Sequence, residues 1–231
     1  MNKSLLILLL ICLSLKLFSW EVRSDSTIFL GAFGNYGFSK IIGYPGDINY
    51  MVKPGGGLVF TYNIHQEISL KSGLSFINNG FSVNQKFYDT MGDSIGNYKT
   101  YNEYTYLGIP LEFSYNLGRN RFNVYLSAGI EFNFLLKQHT YAKLPSENNG
   151  VPINPYDINN KDLYKTFDFG FLFGIGGEYK IKPNIVVFTE VKYYNGLRNF
   201  LKNNTEYIFK HRGYSVYAGI RFGIPLRYSI I

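Results

Sequence analysis

Residues Phe167 to Tyr179 read FDFGFLFGIGGEY, and this stretch narrows the possible folds more than any other. Phe167, Phe169, Phe171, Phe173, Ile175 and Tyr179 hold its odd positions, while Asp168, Gly170, Gly174, Gly176 and Glu178 hold even ones. Side chains alternate across a strand, so a two-residue period gives one face of rings and one of carboxylates and bare glycines. Two settings satisfy such a strand. In a soluble sandwich or lipocalin-like barrel the rings turn onto a core. In an outer-membrane barrel they meet lipid, and the small and charged residues line a crowded lumen.

The same phase recurs along the chain. Thr27 to Phe38 alternates, though glycines blur its faces, and Gly57 to Tyr62 sets Leu58, Phe60 and Tyr62 against Gly57, Val59 and Thr61. Ile68, Leu70, Leu74 and Phe76 then oppose Glu67, Ser69, Lys71, Gly73 and Ser75. Glu103 to Tyr115 repeats the pattern, with Leu107, Ile109, Leu111, Phe113 and Tyr115 on one face and Pro110, whose missing N–H predicts a local kink, on the other. Strands follow at Phe122 to Phe134, Phe167 to Tyr179, Val187 to Tyr194 and Tyr214 to Ile224. The count is eight, an even number in the range of bacterial barrels.

A second feature places the chain outside the cytoplasm. Leu5 to Leu17 is apolar apart from Lys16 and follows Lys3; it is too short to cross a bilayer as a helix and matches the core of a signal peptide. Cleavage is expected after Ser24, leaving residues 25–231 as the barrel domain and residues 1–24 as the removed segment. Ile11, which precedes Cys12, is not the small residue that lipidation would need. With Cys12 removed, neither disulfides nor thiol chemistry are available. Loss of Lys3, Lys16, Arg23 and Glu21 takes the formal charge from +7 to +5, dispersed over loops, which gives no nucleic-acid footprint.

Three regularities favour the membrane. Short connections fall at Asn63 to Gln66, Asn116 to Arg121 and Lys182 to Asn184, and alternate with long ones, among them Asn78 to Asn102, Lys137 to Lys165 and Asn195 to Arg212. Short periplasmic turns and long outer loops are the habit of transmembrane barrels. Tyr62, Tyr115 and Tyr179 close the apolar faces before the short turns, and Tyr101, Tyr193 and Tyr214 hold that phase at the other end, so two interfacial girdles are expected. The ionised residues Glu67, Lys71, Glu112, Glu131, Asp168, Glu178, Glu190, Lys192 and Arg221 all take the opposite phase, which predicts a structural charge network inside. Eight strands leave an interior about filled by side chains, so a wide pore is not expected.

No catalytic, cofactor or metal constellation emerges. His65, His139 and His211 are spread over a turn, a loop and a strand start without ligand spacing, and read as surface or interfacial residues. The lumen carboxylates read as salt-bridge partners rather than as acid and base, because bases share their face. Near the end, Tyr217, Gly219, Phe222 and Ile224 fit the spacing of a barrel-assembly signal, although the chain runs on to Ile231.

The segments LKSGLSFINNG (Leu70 to Gly80), YLGIPLEFSY (Tyr106 to Tyr115), FDFGFLFGIGGEYK (Phe167 to Lys180), VKYYNGLRN (Val191 to Asn199) and GIRF (Gly219 to Phe222) resemble, in order, the PorT-like outer-membrane β-barrel family of Gram-negative bacteria. That resemblance implies an eight-stranded antiparallel up-and-down transmembrane barrel, for some members a link to type IX protein secretion, and no catalytic motif. Lys192 stands where many relatives carry arginine, which preserves the cation. The expectation is therefore a monomeric, non-enzymatic outer-membrane protein. Its partners would be membrane lipids, the assembly machinery during insertion, and a secretion component or extracellular ligand at the loops. A narrow channel and a lipid-acting enzyme are the alternatives.

Overall fold

A computed structural model of the chain describes residues 27–44, 46, 48–88, 91–92, 94–118, 121–143, 157–202 and 208–225. The expected signal segment, residues 1–24, lies outside them. The strands are β1 (Thr27–Ile42), β2 (Ile48–Asn63), β3 (Ile68–Tyr88), β4 (Ser94–Asn116), β5 (Phe122–Lys143), the two-residue β6 (Asp157–Ile158), β7 (Phe167–Lys182), β8 (Ile185–Gly196) and β9 (Lys210–Pro225), with one turn of 310 helix at Lys161–Leu163. Strands β1 to β5 and β7 to β9 pair antiparallel with their neighbours, and β9 returns to β1, so the sheet closes. The fold is an eight-stranded up-and-down barrel. Closure leaves no unpaired edge, the condition for a sheet in hydrocarbon.

The alternation sets orientation. In β7, Phe173 is 53% exposed while its neighbour Leu172 is 2% exposed, so the rings point out of the barrel. Leu58, Phe76, Phe113, Leu126, Val216 and Phe222 point out in the same way. Inward positions carry Thr61, Lys71, Glu112, Ser127, Asp168, Glu190 and Arg221, all buried. Among the described residues no helix is long and apolar enough to cross a membrane. The turns at residues 64–67, 117–121 and 183–184 share one end with the terminal pair Thr27 and Pro225. In a transmembrane barrel the end that carries the short turns is the periplasmic one.

The outer end departs from the sequence reading. Most of Asn78 to Asn102 is strand rather than loop: β3 runs on to Tyr88, β4 starts at Ser94, and only residues 89–93 connect them. Likewise β5 continues through Lys137 to Lys143. A one-residue offset between Thr105 and Tyr106 shifts the β4–β5 register there, and Leu135 and Gln138 both end up buried. These three strands have 21, 23 and 22 residues against 12 to 16 in the other five barrel strands, and so stand above the rest as a projecting sheet. Above Leu107 and Phe134 the outward residues turn polar, with Thr105, Glu103, Lys99 and Lys137, which marks where the apolar belt stops.

Two breaks in the ladder are stitched by side chains. Between Tyr50 and Gly56 the β2–β3 register shifts. There the Ser39 hydroxyl accepts from the Gly80 N–H at 2.7 Å and donates to its carbonyl at 3.0 Å, while Asn78 donates to the Pro54 carbonyl at 2.7 Å. At the expected Pro110 kink the β3–β4 pairing skips from Ser72 to Ser75, and the Ser72 hydroxyl donates to the Pro110 carbonyl at 2.9 Å.

Candidate functional site

Three layers occupy the lumen. The middle one is ionic, because inward residues of β3, β4, β7, β8 and β9 meet across a narrow axis. Lys192 lies 2.5 Å from Glu112 and 3.7 Å from Glu190, and Lys71 lies 3.5 Å from Glu190. Arg221 pairs with Glu178 and donates to the Thr61 hydroxyl at 3.1 Å. Tyr125 and Ser127 donate to Glu190 at 3.1 and 2.6 Å. Cations also sit over rings, Lys71 at 3.6 Å from the Tyr125 centroid and Lys192 at 4.9 Å from that of Tyr217. Such desolvated charges are tolerable only when paired and hydrogen bonded on most sides.

The expected network is thus partly assembled. Glu131 shares the cavity beside Lys192 and Glu112, and Asp168 accepts from the Phe169 N–H and the Tyr194 hydroxyl, beyond the chain of ion pairs. Glu67 is a correction. It sits in the β2–β3 turn, and its carboxylate accepts from the outward Tyr115 hydroxyl at 3.1 Å. One step beyond Ile68, the strand has ended and alternation no longer dictates direction.

Ser127 beside Glu190 has the outline of a nucleophile with a base. However, that carboxylate is already engaged by Lys71, Lys192 and Tyr125, and the adjoining cavity is only about 30 Å³. Among the described residues no cluster of His, Cys, Asp and Glu could hold a metal ion.

The outer layer is an aromatic plug that the sequence did not announce. Ile41, Phe81, Val83, Tyr104, Tyr106, Leu135, Phe200 and Phe209 form one buried cluster, with Tyr44 and Tyr164 against it. His211, expected at a surface, is 1% exposed: it faces inward from β9, stacks on Phe200 at 4.3 Å and hydrogen bonds the Tyr106 hydroxyl at 3.0 Å. His139, expected in a loop, lies in β5 beside Tyr141. The parity of Tyr217 and Arg221, stepped back by twos, reaches 211 and would have placed that histidine inside.

The periplasmic layer is an open vestibule of about 650 Å³. Its walls include Lys71, Ser69, Asn123, Glu178 and Arg221, and Arg121, Lys180 and Lys182 stand at the mouth.

Of the girdle residues, Tyr115, Tyr179 and Tyr214 are exposed on the outer wall, and Tyr62, Tyr101 and Tyr193 are half-buried. Tyr193 meets Tyr214 at 5.0 Å and Tyr101 stacks on Tyr141 at 5.1 Å. Of the assembly-signal residues, Phe222 and Ile224 face out, Tyr217 is buried in the lumen, and Gly219 abuts Phe188.

The projecting sheet carries a polar outer face of Lys99, Tyr101, Glu103, Lys137, His139 and Tyr141. Glu103 accepts from Lys53 at 2.5 Å and from the Tyr141 hydroxyl at 2.8 Å. Burial would raise the Glu103 carboxyl, but these two donors outweigh it and hold it below the ordinary range. Burial, then the hydrogen bond and charge of Glu103, push the Tyr141 phenol up to about 12.

The curated proteins contain no match to the chain. Among solved structures it is similar to Neisserial surface protein A at 14% identity, covering 84% of this chain and 96% of that one, with a TM-score of 0.45. It is similar to the outer membrane protein OprG from Pseudomonas aeruginosa at 13% identity, covering 87% and 97%, with a TM-score of 0.45. The outer membrane protein AlkL in lipid bilayers follows at 10% identity, covering 92% and 97%, with a TM-score of 0.46. The family model of the outer membrane protein β-barrel domain matches residues 19–202. A closed barrel with a lipid-facing belt and a match over most of its length place the chain in the outer membrane, and it belongs to the outer membrane protein β-barrel domain family.

Proposed function

We infer that this barrel neither conducts solutes nor does chemistry in its lumen, and works by presenting its projecting sheet to an extracellular partner. The observation that carries this reading is the filled axis: an aromatic plug lies above an ion-pair layer whose residual cavities are about 20 and 30 Å³. A hydrated ion would have to part both. The face of Lys99, Tyr101, Lys137 and Tyr141 offers cations beside amphipathic rings, a combination that suits an anionic saccharide or a polar protein surface. Recognition commonly resides on such projections from a rigid scaffold. The PorT-like resemblance favours a component of protein secretion as the partner.

A photo-crosslinking residue at Lys99 or Lys137 in intact cells tests this. One discrete adduct is expected, and it should vanish when Tyr101 and Tyr141 are both replaced by alanine in a barrel that still shows its boiling-dependent gel shift. Absence of any adduct, or steady conductance of the folded protein in planar bilayers, would sink the reading; conductance changing with Lys71 or Arg221 would favour a narrow channel.

A further inference from the structure

The vestibule at the periplasmic end is built differently from the layer above it. Each cation of the ion-pair layer has a carboxylate beside it, and the one wall carboxylate of the vestibule among the described residues, Glu178, is engaged by Arg221 and by the Asn123 amide. Arg121 and Lys180 continue the inward phase of β5 and β7 past Asn123 and Glu178, and Lys182, beyond a shift in the β7–β8 register, lines the same cavity. None of these three has a carboxylate within salt-bridge distance among the described residues. Deeper in, Arg221 is 5% exposed and its Nε–H finds no acceptor, and Asn123, 3% exposed, has an unpartnered Oδ1. Both line this cavity. The Arg221 Nε–H is thus a buried donor and the Asn123 Oδ1 a buried acceptor, neither with a protein partner among the described residues, and both belong to residues that line the cavity below three cations.

We propose that the vestibule binds a phosphate-bearing ligand entering from the periplasmic side, with the phosphate held among Lys180, Lys182, Arg121 and Arg221. Guanidinium and ammonium groups converging from several strands suit an anionic phosphoryl group with two or three free acceptor oxygens. The Asn123 Oδ1 suits a hydroxyl or amine donor next to the phosphate. A cavity of about 650 Å³ greatly exceeds bare phosphate and accommodates a headgroup or small phosphorylated metabolite. A phospholipid headgroup, a phosphodiester of single charge, and a soluble phosphate monoester both present anionic phosphoryl oxygens that these cations can hold. This site is independent of the outer sheet, and either could fail alone.

The full barrel in maltoside micelles, which contain no phosphate, gives a direct readout through the Arg221 Nε–H signal in 15N-resolved NMR. Inorganic phosphate should move that signal saturably, while chloride at equal ionic strength should not. The exposed-mouth variant Lys180→Glu/Lys182→Glu should keep its boiling-dependent gel shift and raise the phosphate midpoint at least tenfold. If phosphatidylglycerol doped into the micelles moves the signal and abolishes the response to phosphate, the ligand is a lipid headgroup; if only soluble phosphate moves it, the ligand is a free ester. An Arg221 signal indifferent to both, an equal response to chloride, or an unchanged midpoint in the mouth variant would each overturn the proposal.

Discussion

Lys192 holds two carboxylates at once, Glu112 and Glu190, in a layer nearly free of water-sized space. Removing one member of a buried ion pair leaves the other charge unpaired and costs about 3–5 kcal/mol. Lys192→Met should therefore lower the urea unfolding free energy of the lipid-embedded barrel by about that amount, whereas adding Glu112→Gln should recover part of the loss. Equal losses in the single and double variants would show that the pairing is energetically idle. Gly129 poses a packing test: an added Cβ would lie 2.1 Å from the Leu111 carbonyl oxygen and 2.6 Å from the Glu112 Cα, both backbone atoms. Gly129→Ala should cost about 1–3 kcal/mol in the same measurement, the usual range for overpacking. Much of this chemistry was readable from parity alone, since the phase that puts rings outward puts Lys71, Glu112, Glu190, Lys192 and Arg221 inward. Glu67 was not, because it lies just past a strand end, and His211, at a strand start, shares the inward phase of Tyr217 although the lack of ligand spacing favoured an interfacial place.

At the scale of elements, the upper halves of β3, β4 and β5 show why alternation can mislead. Below, inward means polar; above, Phe81, Val83, Tyr104 and Tyr106 face inward and are apolar, because the outer lumen is closed by a dry plug. The polarity contrast inverts within one strand, so a reader expecting a fixed contrast sees a patternless polar stretch from Asn78 to Asn102. The projecting sheet also carries a pH test. Glu103 has a carboxyl pKa below its ordinary value in the folded state, so its contribution is present above the unfolded value of about 4.3 and fades as pH falls through the folded one. Hydrogen exchange in the upper β4–β5 amides should accelerate on acidification below about pH 4, and Glu103→Gln should lack that acid step. Because Tyr141 ionises only near pH 12, its donor to Glu103 stays in place throughout that titration.

For the whole molecule, the layers act in series. The plug and the ion-pair layer each close the axis, so Phe200→Ala, which thins only the first, should leave planar bilayers silent while weakening the outer half toward protease. Conductance in that variant would mean the ionic layer is not a seal. The closed eight-strand architecture was legible from strand count, parity and the segregation of short turns; the plug was not, because its members come from distant segments such as Phe81, Phe200 and Phe209 whose meeting depends on closure itself. That closure has a temporal side. The joint between β1 and β9 runs through sixteen residue pairs, from Thr27 with Pro225 to Ile42 with Lys210. Neighbouring hairpins can zip as they arrive, but the first strand keeps one bare flank until the final strand has been delivered, so a waiting period is written into the topology.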